Sequence, residues 1–235
     1  MTAPAPPRFG HARHRRRAIA FVLLACGLVG SGPTAARAAD ATWLSLAALG
    51  GSTRIDPRLS NYAWDIRPRA AWGVLASAGH GPLSLGARVW RSSTVQAMEL
   101  PGLTTSPAVH STTLDALLRM RVATLMGTRV SADASVGSLR IDYRPGHLSV
   151  PQGSGAPLEV DLAPIRRPVS GGGFSLQHDI HGGWAAGLSL DRRFFGLDTA
   201  HRRGAEIVYG RETFGDWSAR FEFAHMFTFG AKGAW

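Results

Sequence analysis

The chain contains little cysteine, little lysine and little charge. Cys26 is the only cysteine among 235 residues, which excludes a disulfide framework and a four-thiolate metal site. Charged residues make up 18% of the chain, alongside 28 glycines and 14 prolines, and this composition excludes a coiled coil or a mostly helical bundle. The apolar run at residues 18–30 is shorter than the ~20 residues that a membrane-spanning helix needs.

The first 38 residues have the arrangement of a secretory signal peptide. Arg13 to Arg17 form a basic run, the apolar run follows, and Ala36-Arg37-Ala38 provides a small-residue cleavage site. We therefore predict a signal peptide over residues 1–38 and a mature domain over residues 39–235. As an alternative, Leu23-Leu24-Ala25-Cys26 resembles the lipobox of bacterial lipoproteins, in which Cys26 would be acylated.

Cleavage of this leader changes what the net charge implies. The leader holds six of the 26 basic residues and no acidic residue, so the formal net charge falls from +10 to +4. The charges that remain are interspersed in sign, whereas a nucleic-acid-binding surface needs clustered basic residues. The sequence therefore predicts no nucleic-acid partner.

Apolar and polar residues alternate with period two through the mature domain, as in strands with one apolar face. Trp72, Val74 and Ala76, for example, alternate with Ala71, Gly73 and Leu75. Pro68 fits poorly inside a central strand, so its strand is expected to begin late or to carry a bulge. Ten runs of this kind are visible: 41–52, 64–77, 83–95, 110–126, 128–142, 158–165, 169–180, 184–195, 203–213 and 217–235.

Some details of the runs are ambiguous. The alternation changes phase at Leu139, which predicts a β-bulge there, and residues 114–126 also fit an amphipathic helix. With ten strands, the long connections 53–63, 96–109 and 143–157 lie on the outer side and 196–202 forms an inner connection. The number of strands becomes eight if 158–165 and a second weak run belong to loops.

The last segment carries the most specific pattern. From Trp217 to Trp235 the odd positions include Phe221, Phe223, Phe227 and Phe229, and the chain ends on an aromatic residue. This segment resembles the last strand of bacterial outer-membrane β-barrel proteins, which alternates in the same way and usually ends in Phe. The resemblance implies an outer-membrane location, contact with membrane lipid and lipopolysaccharide, and recognition of the strand ending in Trp235 by the barrel-assembly machinery.

We therefore predict an all-β, antiparallel, up-and-down transmembrane β-barrel of ten strands, with eight as the alternative. The runs reach the 9–11 residues of a tilted membrane strand, and tryptophans cluster near their ends, as in the aromatic girdles of such barrels. A soluble or lipid-anchored periplasmic β-sandwich is the alternative architecture, in which the same apolar faces would form an internal core.

The polar face of the predicted barrel carries charges of both signs. The interior of an eight- to ten-stranded barrel is narrow, and an unpaired buried charge costs several kcal/mol. We therefore expect ion pairs to plug much of the lumen, and a structural or interaction role, or the passage of small solutes. The residues on this face are Arg67, Arg69, Arg88, Asp115, Arg119, Arg121, Asp133, Asp161, Asp179, Asp191, Arg193, Arg220 and Glu222.

Candidate catalytic and metal sites are weak. Asp179 and His181 converge beside a glycine turn while His178 faces the other way, and two ligands are too few for structural zinc. His110-Ser111-Thr112 lacks the third group that a nucleophilic triad needs. The sequence thus predicts no catalytic residue, metal or cofactor, although an outer-membrane enzyme acting on lipid or peptide at the outer rim stays open as an alternative.

The outer loops are the parts most free to bind a ligand, because lipid and packing constrain the strands. Arg54, Arg58 and Arg144 lie in these loops. We predict that they contact the phosphate groups of lipopolysaccharide.

Overall fold

The computed structural model describes residues 42–55, 58–59, 62–63, 68–96, 106–151, 155–203 and 206–229. The predicted signal peptide, Cys26 and Trp235 lie outside these ranges. Within them, no helix is long and apolar enough to cross a bilayer.

The described residues form twelve β-strands. In chain order they are β1 (Thr42–Ile55), β2 (Arg58–Leu59), β3 (Tyr62–Ala63), β4 (Arg69–His80), β5 (Leu83–Val95), β6 (Ala108–Leu125), β7 (Thr128–Arg144), β8 (His147–Val150), β9 (Leu158–Asp161), β10 (Ile165–His181), β11 (Trp184–Arg203) and β12 (Glu206–Phe229).

Eight of these strands close into one antiparallel barrel. The order around the ring is β1, β4, β5, β6, β7, β10, β11 and β12, and β12 pairs back onto β1. The remaining four strands form two separate hairpins, β2 with β3 and β8 with β9. The predicted antiparallel barrel is therefore confirmed, and the β-sandwich alternative is wrong because the sheet closes on itself.

The barrel has the alternative number of eight strands rather than ten. Run 158–165 contributes β9, which pairs only with β8 outside the ring. Run 203–213 from Glu206 onward and run 217–235 as far as Phe229 belong to one strand, because β12 continues through Phe214-Gly215-Asp216 without a turn. Phe214 is buried at that point and stacks on Phe195 of β11, so its inward packing favours a continuous strand where the two separate runs predicted a break.

Two further local predictions are wrong. No bulge occurs at Leu139, because the pairing of β7 with β6 and β10 runs without a shift through that residue. Leu139 and Ile141 are instead inward-facing apolar residues, 3% and 1% exposed. The predicted inner connection 196–202 is part of β11, where it pairs with β12.

The predicted alternation between faces is confirmed along the barrel. Exposed apolar residues on β4, β5 and β6 include Trp72, Leu85 and Leu114, while their sequence neighbours point inward. Residues 114–126 therefore lie in a strand and not in a helix as far as Leu125. β4 begins at Arg69, directly after Pro68, as the missing amide hydrogen of proline requires.

The two ends of the barrel differ in the length of their connections. Three tight turns, at residues 81–82, 126–127 and 182–183, join strands at one end, and we call this the short-turn end. Gly182 and Gly183 both have positive φ, as a two-residue hairpin of type I′ requires. The opposite, long-loop end carries both separate hairpins and the extension of β11 and β12 beyond the barrel wall.

Two adjacent glycines in β1 provide a test of the packing between strands. A Cβ at Gly51 would meet the carbonyl oxygen of Ala219 and lie 2.9 Å from the Cα of Arg220, whereas a Cβ at Gly50 would have nothing within 4 Å. We expect Gly51→Ala to destabilise the barrel by about 1–3 kcal/mol, because β1 and β12 must separate to admit the methyl group.

Gly50→Ala is the matched control and is expected to leave stability nearly unchanged. The measurement is the midpoint of urea unfolding in detergent micelles, followed by tryptophan fluorescence. Equal midpoints for the two variants would contradict the close approach of β1 to β12 at Gly51.

Candidate functional site

The inward-facing residues of β12 pass through the layers of the barrel interior in order. Starting at the long-loop end they are Phe214, Asp216, Ser218, Arg220 and Glu222, all buried. Phe214 belongs to an apolar cluster, and each of the three charged side chains joins a different part of an ion-pair network. The interior is therefore built of stacked layers, which we describe from the short-turn end upward.

The first layer centres on Arg119 of β6. Its guanidinium donates to both carboxylate oxygens of Asp133 on β7, at 3.0 Å each, and to those of Glu222 on β12 at 3.1 and 3.0 Å. Ser175 on β10 donates to Asp133 at 3.2 Å. One arginine thus binds two carboxylates from different strands through paired, charge-assisted hydrogen bonds.

The second layer joins Arg88 of β5 to two acids. Arg88 binds both oxygens of Asp115 on β6, at 2.9 and 2.7 Å, and Asp191 on β11 at 3.1 Å. Arg220 of β12 also pairs with Asp191, and its guanidinium lies 5.4 Å from the centre of the Trp90 ring. The charges balance in this layer, with two arginines against two aspartates.

The third layer lies nearer the long-loop end. Arg193 of β11 binds both oxygens of Asp216 on β12, at 2.8 and 2.7 Å, and donates to the hydroxyl of Thr113 on β6 at 2.9 Å. The fourth layer, which we call the outer apolar cluster, carries no charge. Its buried members are Ile55, Val109, Leu139, Ile141, Val169, Phe195, Leu197 and Phe214.

The outward face of the barrel is apolar over most of its height. Leu85, Phe174 and Leu188, on three different strands, are 60–67% exposed, which would be unfavourable in water for so many large side chains. Aromatic residues lie near both ends of this face. Trp184 stacks on Phe223 near the short-turn end, and Arg192 lies over the ring of Trp217 nearer the long-loop end. This is the exterior of a barrel that spans a lipid bilayer.

Most of the charges predicted to face inward do so. The interior network described above contains eight of them: Arg88, Asp115, Arg119, Asp133, Asp191, Arg193, Arg220 and Glu222. Asp161 does not: it lies in β9, where it hydrogen-bonds His147, because the run that contains it is outside the barrel. Asp179 is more than half exposed and pairs with Arg129 at 2.5 Å near the short-turn end. Arg67 lies outside the described residues.

The three arginines predicted to bind phosphate are distributed over the long-loop end. Arg54 is exposed on the outer face of β1, opposite Trp217 in the register of β12. Arg58 falls in β2, of which only the backbone is described. Arg144 ends β7 and is exposed. The structure does not bring Arg54 and Arg144 together, because β1 and β7 are not neighbours in the ring.

The weak catalytic and metal candidates are separated by the fold. Ser111 points into the barrel and hydrogen-bonds Ser92 at 2.6 Å, whereas His110 belongs to the outward face of the same strand. His178 hydrogen-bonds the hydroxyl of Thr128 at 3.1 Å, and Asp179 is paired with Arg129. Within the described ranges no three histidine, cysteine or acidic side chains are grouped as a metal ion would need.

Sequence reasoning missed a polar pocket on the outside of the barrel near the long-loop end. It measures about 490 Å³, and its lining includes Arg91, Thr112, Arg140 and Arg144. The sequence does contain a signal for this pocket. Arg91 falls at an outward-facing position of β5, in phase with Leu85 and Val89, and Arg140 falls at an outward-facing position of β7, in phase with Val136. A charge on the lipid-facing phase at the end of a strand indicates the edge of the apolar zone.

The hairpin of β8 and β9 carries an exposed acidic pair around one histidine. His147 lies 2.7 Å from Asp161 through Nδ1 and 2.6 Å from Glu159 through Nε2. Hydrogen bonds to Asp161 and Glu159 raise the pKa of His147. The protonated imidazole can donate to both carboxylates at once, so this contact between β8 and β9 strengthens as the pH falls through the range where histidine titrates.

Comparisons with known proteins identify the fold. No protein-family model matches the sequence, and no curated protein does. Among solved structures, the chain is similar to the outer membrane protein OprG from Pseudomonas aeruginosa, with 9% identity, a TM-score of 0.50, and coverage of 80% of this chain and 96% of that one.

Two further similar structures have lower TM-scores. Neisserial surface protein A has 9% identity and a TM-score of 0.45, over 78% of this chain and 96% of that one. Outer membrane protein W of E. coli has 12% identity and a TM-score of 0.45, over 81% of this chain and the whole of that one. Identities this low speak to the fold alone.

The chain therefore has the fold of a bacterial outer-membrane β-barrel, and the predicted class resemblance is confirmed. The apolar exterior together with a charged interior places the barrel in a membrane, and this fold is that of the outer membrane. Because such barrels have short periplasmic turns and longer external loops, the long-loop end faces outward from the cell.

The buried ion pairs are expected to dominate stability. Asp216→Ala would leave Arg193, which is 1% exposed, without its carboxylate partner. We expect a loss of about 3–5 kcal/mol, because an uncompensated charge is then buried. The measurement is urea unfolding in detergent micelles, with gel mobility of unboiled samples as a check of folding.

Asp179→Ala is the matched control, since Asp179 also pairs with an arginine but is 55% exposed. Exposed pairs contribute about 1 kcal/mol or less. If both variants lost the same small amount of unfolding free energy, the buried ion pairs would contribute no more to stability than the exposed pair.

Proposed function

We propose that this protein is an interaction protein of the outer membrane whose barrel interior is closed to solutes. One observation carries the proposal: each layer of the interior is filled by side chains that bind one another. Arg88 and Arg193 are 1% exposed and Leu197 is 0% exposed, so water has almost no access to either the charged layers or the outer apolar cluster.

A water-filled pore would require a different interior. Pores of outer-membrane barrels are lined by polar side chains in contact with water, in barrels of 16–18 strands, whereas an eight-stranded barrel is just wide enough to be filled by its own side chains. Here a solute would have to break arginine–carboxylate bonds of 2.7–2.9 Å and then cross an apolar layer. Passage of small solutes is therefore the less favoured of the two predicted roles.

Because the interior is closed, binding to other molecules takes place on the outer surface of the barrel. The long-loop end holds the β8–β9 hairpin, the extension of β11 and β12, and the exposed Arg54 and Arg144. We keep the proposal that Arg54, Arg58 and Arg144 contact lipopolysaccharide phosphates, since arginine binds phosphate through paired hydrogen bonds. An enzyme acting at this rim is the alternative role, and no grouping among the described residues favours it.

Electrical recording tests the closed interior. We expect purified, refolded protein to insert into planar lipid bilayers without producing discrete conductance steps, because no continuous water path crosses the filled layers. A general porin reconstituted in the same bilayers serves as the positive control. Reproducible steps from the folded protein, absent after heat unfolding, would contradict the proposal.

The route to the membrane completes the proposal. Residues 1–38 act as the signal peptide, and the last strand, with outward-facing Phe221, Phe223, Phe227 and Phe229, is read by the barrel-assembly machinery up to Trp235. The alternation of aromatic residues on one face of β12 supports this assignment.

Substitution of the terminal aromatic residue tests this recognition. We expect Trp235→Ala to reduce several-fold the amount of folded, heat-modifiable protein in the outer membrane and Trp235→Phe to preserve it, because the resemblance requires an aromatic end. Trp217→Ala, which removes an outward tryptophan from the middle of β12, controls for the general effect of losing a tryptophan. Normal assembly of Trp235→Ala would remove Trp235 from the proposal.

A further inference from the structure

The polar pocket on the outside of β5, β6 and β7 has a regular construction. Arg91 of β5 pairs in register with Thr112 of β6, which pairs with Arg140 of β7. Neighbouring strands lie about 4.8 Å apart, so two guanidinium groups flank one hydroxyl across a single row. In the next row toward the long-loop end, His110 lies opposite Asp142.

The charges of the pocket are not balanced, in contrast to the barrel interior. Arg140 pairs with Asp142 at 2.8 Å. Arg91 lies over the ring of Trp72, 5.7 Å from its centre, and no carboxylate among the described residues pairs with it. Arg144 adds a third positive charge to the lining. Three arginines and one aspartate leave a net positive, solvent-accessible site with one guanidinium held in place by an aromatic ring.

The position of the pocket relative to lipid restricts what can occupy it. On the outward face, the row directly below is Val89, Leu114 and Ser138, and Val136 lies one outward position further down β7. Leu114 and Val136 are 58% and 63% exposed. The pocket thus lies where the apolar exterior ends, at the outer edge of the membrane. A ligand that fills both zones has an anionic head and apolar chains.

We propose that this pocket binds the phosphate group of a phosphorylated membrane lipid, with the acyl chains lying along Val89, Leu114 and Val136. The planar guanidinium of Arg91 can bind two phosphate oxygens, Arg140 supplies the opposing donors, and Thr112 donates its hydroxyl from between them. The inference rests on the proposed interaction role of the outer surface, and it assigns Arg91, Thr112 and Arg140, which the earlier phosphate proposal did not include.

The primary experiment is a titration of the full-length mature barrel, in nanodiscs of phosphatidylcholine, with fluorescent lipid A that carries both phosphates. We expect Arg91→Ala/Arg140→Ala to bind about tenfold more weakly or worse, because two charge-assisted contacts are lost. The matched control is Arg192→Ala/Arg211→Ala, which removes two outward arginines from β11 and β12. We expect the control to stay within about twofold of the parent; equal losses in both would mean attraction by net charge alone and would overturn the pocket.

A second variant changes binding in the opposite direction. Asp142→Asn releases Arg140 from its ion pair and removes the one negative charge of the pocket lining. We expect it to bind lipid A several-fold more tightly, an effect that misfolding cannot produce. Unchanged or weaker binding by a folded Asp142→Asn variant would overturn the assignment of Arg140.

Two further probes separate the possible sources of the phosphate. Dephosphorylated lipid A should bind as weakly to the parent as intact lipid A binds to the double variant. Inorganic phosphate should compete only weakly, because it makes no contact with the apolar residues below; competition at the affinity of lipid A would overturn the lipid assignment. Failure of these tests leaves the closed interior standing, since conductance is measured independently of lipid A.

Discussion

The structure depends on the pairing of charged side chains that are buried inside the barrel. Four buried or nearly buried arginines, at positions 88, 119, 193 and 220, meet five carboxylates from β6, β7, β11 and β12. Removal of a charge from water is costly unless a partner is held in good geometry, so the registers of the strands and the identities of the inward residues constrain each other. The apolar exterior is required by the surrounding lipid. The residues of the long-loop end are under neither constraint, so their identities can vary.

Much of this architecture could be predicted from the sequence. The period-two alternation of residues such as Trp72, Val74 and Ala76 is strong because lipid lies on one side of the wall and polar groups on the other. The charges on the opposite face and the aromatic alternation of the last strand indicated a membrane barrel. The number of strands was harder to predict: β11 and β12 continue past the barrel wall, and a strand that extends into solvent carries no lipid-facing pattern to mark where it ends.

The errors have a common physical origin. Leu139 and Ile141 looked like a change of phase because apolar residues were assumed to face lipid, whereas at the long-loop end they face an apolar layer of the interior. Phe214 in β12 belongs to the same layer. The outward pocket was missed for the related reason that Arg91, Thr112 and Arg140 lie on three strands, and only the register between those strands places them in one row.

The arrangement of the ion pairs also has a mechanical consequence. β6 and β12 stand on opposite sides of the eight-membered ring, as do β5 and β11. The hydrogen bonds from Arg119 to Glu222 and from Arg88 to Asp191 join these opposite strands. Two ion pairs therefore cross the lumen along different diameters. A deformation that moved either pair of walls apart would stretch one of these arginine–carboxylate contacts, so the two contacts limit widening of the barrel along these two neighbouring diameters.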